Sequence, residues 1–224
     1  MRDVDDMRTR TGLLNQSDAA RFLGIPQQTF NHWARGYGQE QPLLHVLPKP
    51  EQRAATVPFA ALAEAHVLKA LREAGVRPHK IKPALRRLQE AFGTEYVLLA
   101  PELATDGIDV LWDFSRTKAG AGLIEARSWQ TVIREIVADY LQYVVRDQNG
   151  FPAMLRLDRC LPSDVIVDPQ KHFGQPYFAG TGTRVAEAAA MLKAGEEPEV
   201  IADELGITAA DVRIAARVLL GHAA

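Results

Sequence analysis

Apolar side chains recur at helical spacing through the first 94 residues and at mixed spacing thereafter. In Ser17–Leu23, Ala20 and Leu23 lie three apart, and Ser17 reads as the N-cap. Gly24 ends this helix because it tolerates a left-handed backbone, and Pro26 suits the first turn of the next one. On that second helix Phe30 and Trp33 share an inward face, which turns Gln27, Gln28, Asn31 and Arg35 outward. Gly36–Val57 is rich in Gly and Pro and contains Leu43–Leu47, an apolar run of strand length.

Two longer helices follow. Pro58–Gly75 carries the stripe Phe59, Leu62, His66 and Ala70, with His66 expected to be a satisfied, half-buried core histidine. Residues 78–92 carry Ile81, Leu85, Leu88 and Phe92, with Lys80, Lys82, Arg86 and Arg87 on the other side. Pro83 requires that helix to begin close to it. In the middle segment, Tyr96–Leu99 reads as a strand, and Ile108, Val110, Trp112 and Phe114 alternate as a second one. Trp129–Val137 suits a helix capped by Ser128. Tyr140–Leu157 reads as a hairpin turning at Asn149-Gly150. The C-terminal segment opens with strand and turn signals and closes with helices over 186–194, 198–205 and 209–220. The predicted class is α+β. The predicted organisation is a disordered leader (1–11), a unit of two short helices, a Gly/Pro-rich stretch and two longer helices (12–94), an α+β platform (95–160) and a tri-helical domain (161–224).

Composition narrows the function. Among 224 residues there is one cysteine, Cys160, so no intramolecular disulfide forms; this fits a reducing, cytoplasmic location. The charged start has no signal-peptide core, and no apolar run reaches the roughly 18 residues of a membrane span. Residues 1–94 carry 14 Lys+Arg against 9 Asp+Glu, whereas residues 161–224 carry 5 against 9. The field therefore favours nucleic acid at the N-terminal end. Gln and Asn can pair bidentately with adenine, and arginines hold phosphates. The candidate DNA-binding residues are Ser17, Arg21, Gln27, Gln28, Thr29, Asn31, His32 and Arg35, with Lys49 and Arg53 in the segment after the helix pair.

Enzyme chemistry finds little support. The six histidines lack metal-ligand spacing and Cys160 lacks a partner, so no metal or cofactor is expected. Gly180 and Gly182 invite a phosphate-loop reading, but Val185 occupies the third glycine's place and no Gly-Lys-Ser/Thr follows. The acidic helices around Asp203, Glu204 and Asp211 fit a protein partner better than phosphates.

Two resemblances sharpen this picture. The Ala19-Ala20 helix, Gly24 turn and second helix ending in Trp33 resemble the opening of MerR- and excisionase-type winged helix-turn-helix domains, with Gly36–Val57 as the wing. The amide-rich QQTFNHW stretch departs from their arginine-rich helices. Further on, Asp168-Pro169, Gly174-Gln-Pro176, Gly180-Thr-Gly-Thr-Arg184 and Leu192-Lys-Ala-Gly195-Glu resemble a small domain of VapB-type antitoxins. Together they imply a long-form antitoxin and autorepressor. Its implied partners are double-stranded operator DNA, a second copy of the chain, and a PIN-like ribonuclease toxin encoded by an adjacent gene. Gly180, Thr181, Gly182, Thr183 and Arg184 are the implied toxin contacts, with Arg184 competing at the toxin's acidic centre. The alternative is a ligand-responsive MerR-like regulator that senses through residues 95–160.

Overall fold

The computed structural model describes residues 7–36, 41–48, 54–121, 123 and 130–219. The chain divides into two compact units assembled from interleaved stretches. The first comprises residues 1–27, 47–59 and 153–224; the second comprises 28–46 and 60–152.

In the first unit, α1 (Met7–Arg10) is a single helical turn inside the segment expected to be a disordered leader. α2 (Gln16–Leu23) follows. Its cap is Asn15, not Ser17. Asn15 Oδ1 accepts from the Asp18 N–H (2.8 Å), and Asn15 Nδ2 donates to Asp18 Oδ2 (2.7 Å), so Ser17 lies within the helix. The C-cap Gly24 has φ +66 and satisfies the last-turn carbonyls. Leu14 and Val57 form an isolated antiparallel bridge.

β2 (Pro152–Arg156), β3 (Val165–Val167) and β4 (Tyr177–Phe178) lie side by side in chain order. Their antiparallel registers are Leu155 with Val167 and Val165 with Phe178. All three β3 side chains are buried. α8 (Val185–Ala194), α9 (Pro198–Leu205) and α10 (Ala209–Leu219) complete the expected tri-helical array, with α10 packed on α8, α9 and α2. Thr208 and Asp211 cap α10 reciprocally. The Asp211 N–H donates to Thr208 Oγ1 (3.1 Å), and the Thr208 N–H donates to Asp211 Oδ2 (2.9 Å).

In the second unit, α3 (Gln27–Arg35) supplies Phe30, Trp33 and Ala34 to the core. α4 (Phe59–Glu73) is buried along nearly its whole length. His66 is fully buried rather than half-buried, with Nε2 3.0 Å from the Tyr140 carbonyl oxygen. α5 (Pro78–Phe92) starts five residues before Pro83, so the proline sits inside the helix. It forgoes the bond to the His79 carbonyl on an exposed face, and the helix continues past it.

The two strands expected near residues 96 and 108 are helical. Val97–Leu99 is a 3-10 turn of three consecutive buried residues. Asp106–Ser115 is α6, which buries Ile108, Leu111 and Phe114. That spacing of three is helical, and Asp106 and Asp109 favour the helix by sitting in its positive first turn. α7 (Gln130–Leu141) extends beyond the expected end at residue 137, whereas the expected cap Ser128 lies outside the described residues. The hairpin signal survives in shorter form. β1 (Val144–Arg146) begins after α7, and the Asp147 N–H bonds the Phe151 carbonyl (2.9 Å) across the Asn149-Gly150 turn.

Candidate nucleic-acid interface

α3 separates its side chains cleanly. Phe30, Trp33 and Ala34 are buried, while Gln28, His32 and Arg35 are exposed and Asn31 is half-exposed. Positions 28, 31, 32 and 35 follow the i, i+3, i+4, i+7 rule and form one polar row. Thr29 is half-buried beside this row, and Gln27 is exposed at the helix start. A fixed helix with an amide, imidazole and guanidinium row matches what major-groove reading requires.

The segment after α3 is fastened by backbone and ionic contacts. Leu43 and Leu44 donate their N–H groups to the Trp33 carbonyl at 2.8 and 3.3 Å, and both side chains are buried. Leu43–Leu47 forms no strand, contrary to the sequence pattern: Leu43 and Leu44 bend inward onto α3, while His45, Val46 and Leu47 are only half-buried. Lys82 Nζ donates to the Pro42 carbonyl (2.6 Å). Lys49 and Arg53 lie outside the described residues.

A buried carboxylate completes the fastening. The His45 N–H donates to Glu64 Oε2 (2.9 Å), and His45 Nδ1 lies 2.6 Å from Glu64 Oε1. Glu64 is 1% exposed and the His45 side chain 34%. Glu95 Oε1 stands 3.4 Å from the other ring nitrogen, and the Tyr96 ring packs at 4.7 Å. Burial works against protonation of His45. The hydrogen bond and charge of Glu64, with the charge of Glu95, outweigh burial and the opposing Lys82, so the pKa is raised. Sequence reasoning missed this pair, whose members stand nineteen residues apart with no local motif.

In the first unit, Ser17 is half-buried within α2. Arg21 is partly exposed and pairs with Asp18 (3.4 Å). The Arg21 carbonyl accepts from Arg159 Nη1, and Arg217 Nη2 donates to the Arg159 carbonyl (2.8 Å). A Cβ at Gly24 would come within 3.1 Å of Arg159 Cδ. This gathering of arginines from three remote stretches had no sequence signal. Burial pushes the neighbouring Cys160 thiol up to about 12, so it stays protonated at neutral pH.

The Gly180–Arg184 loop is held from both ends. Thr183 Oγ1 donates to the last carbonyl of α9, at Leu205 (3.2 Å), and the Gly182 N–H donates to the Phe178 carbonyl (2.8 Å). Gly180 and Thr181 are exposed. Arg184 caps α8, and its guanidinium makes two bonds to Glu187 Oε1, at 3.0 and 2.5 Å. Those bonds hold the Glu187 carboxyl below its usual range. Arg184 is therefore already engaged by a carboxylate of its own helix. Among the described residues no cluster of His, Cys, Asp and Glu could hold a metal ion, and no helix is long and apolar enough to cross a membrane.

Comparison with known proteins adds to this geometry. Residues 12–85 match a family described as "putative DNA-binding HTH domain", and residues 165–217 match one described as "protein of unknown function (DUF433)". The chain is 37% identical to "putative antitoxin VapB45" of Mycobacterium tuberculosis, over 93% of this chain and 94% of that protein. It is 25% identical to the uncharacterized protein Rv2308 of the same organism, over 86% and 83% of the two chains. The crystal structure of Rv2018 from M. tuberculosis superposes with a TM-score of 0.78 at 36% identity, covering 93% of this chain and 99% of that one.

Proposed function

Since the chain belongs to the VapB-type antitoxin family, we propose that it neutralises a PIN-like ribonuclease toxin and represses its own operon through α3. The observation that carries the DNA-binding half is the polar row Gln28, Asn31, His32 and Arg35 above the buried Phe30 and Trp33. Gln28 and Asn31 read base edges, and Arg35 contacts phosphate. One helix-turn-helix covers a half-site, so the operator-bound form is a homodimer. The toxin meets the C-terminal tri-helical domain on the face that includes Gly180–Arg184. The reading assigns the chain no catalysis and no cofactor.

Gln28→Ala and Asn31→Ala should each cost about 1–3 kcal/mol on DNA from upstream of the gene, titrated at fixed salt. Both should bind random-sequence DNA as the unmodified chain does, because phosphate contacts are untouched. Unaltered operator affinity in both variants would remove α3 as the reading helix.

A further inference from the structure

The turn between β3 and β4 holds an aromatic side chain in solvent. Phe173 is 89% exposed, whereas the other exposed large apolar side chains among the described residues, Met7, Leu161 and Val200, reach at most 55%. Its backbone is left-handed at φ +53, and its neighbours His172 and Gly174 are left-handed too, at +49 and +72. A bulky L-residue is disfavoured there, and glycine or asparagine would suit both the backbone and the water better.

The turn is nonetheless firmly built. The Gly174 N–H donates to the Lys171 carbonyl (2.9 Å), and the Gln175 N–H donates to that of His172 (3.0 Å). Gly174 is pressed so closely on Leu13 that a Cβ would come within 2.6 Å of its Cδ1. The His172 ring packs 5.0 Å from the ring of buried Tyr177, and Lys171 Nζ lies 5.8 Å over it. Arg184 bridges to Tyr177 by its backbone. The carboxylates here are occupied. Asp168 is buried and accepts from the Gln170 N–H, and Glu187 holds Arg184. Lys171 is therefore the cation that stands next to the exposed ring, on a segment that is acidic as a whole.

We propose that Phe173 is a preformed anchor for the toxin, entering an apolar socket whose rim carries a carboxylate that faces Lys171. This inference rests on the antitoxin reading above. Strain held at an exposed aromatic is what a binding site, not a folding core, requires. A nucleic-acid wedge would need a run of cations along the backbone, and Glu187 already neutralises Arg184.

The test is Phe173→Asn in the full chain, with the purified toxin from the adjacent gene, operator DNA and sedimentation as three readouts. The melting temperature should equal or exceed that of the unmodified chain, since asparagine relieves the left-handed strain. Toxin affinity should fall about 30-fold or more, the size of a hot-spot loss. Operator affinity and self-association should not change. Lys171→Glu should slow toxin association in a salt-dependent manner. Wild-type-like toxin affinity in Phe173→Asn, a lowered melting temperature, or a loss on DNA or in self-association instead would each overturn the proposal. Those outcomes leave the antitoxin reading standing. Failure of the unmodified chain to bind the toxin would overturn both.

Discussion

Replacing Trp33 by alanine should lower the stability of the folded chain by about 3–5 kcal/mol. The indole is wholly buried on α3, and its residue's carbonyl is the acceptor that closes the Leu43–Leu44 segment onto the helix. Truncation removes the ring contacts and leaves a cavity that neighbouring helices fill only in part. Trp33→Phe should cost far less, about 1 kcal/mol. It keeps an aromatic ring and deletes an indole N–H that has no acceptor among the described residues. Denaturant midpoints of the two variants check this directly. The alanine variant should also lose operator binding, because the polar row depends on the packing beneath it. A loss under about 1 kcal/mol would mean that the indole is not the anchor of this helix.

The second large effect belongs to Glu64. Alanine there should cost about 2–3 kcal/mol, since the His45 N–H and ring both lose a charged acceptor within the unit. The pair also makes stability depend on pH. The His45 pKa is raised in the folded chain above its ordinary value near 6.5. Its contribution is therefore complete below that ordinary value and is lost as pH rises through the higher folded value. Midpoints measured from pH 5.5 to pH 8.5 should fall across this window in the unmodified chain. Glu64→Gln, which keeps an acceptor and removes the charge, should flatten the fall. A slope unchanged by Glu64→Gln would assign the dependence to other groups.

The helix pair was legible because its punctuation is local: Gly24 in a left-handed cap, Pro26 before α3, Phe30 and Trp33 three apart. The C-terminal helices were legible for the same reason. The middle was not. Ile108, Val110, Trp112 and Phe114 alternate, but Leu111 is the residue that joins Ile108 and Phe114 in the core. A short apolar stretch supports both periods, and there the carboxylates at 106 and 109 were the better guide. Ser17 lost the capping role to Asn15 because two good caps stood two residues apart and only geometry could choose. His45 with Glu64, and Arg21 with Arg159 and Arg217, are pairings of distant residues that no window of sequence contains. The exposed ring of Phe173 was hidden differently, since an apolar letter in a strand-and-turn region reads as core.

The most direct test of the account is a ribonuclease assay of the toxin encoded beside this chain, titrated with the full chain after co-expression and pull-down. The account predicts a stable complex of fixed stoichiometry in which the nuclease is silent. A folded, active nuclease that forms no complex and keeps its full rate at saturating chain would contradict it.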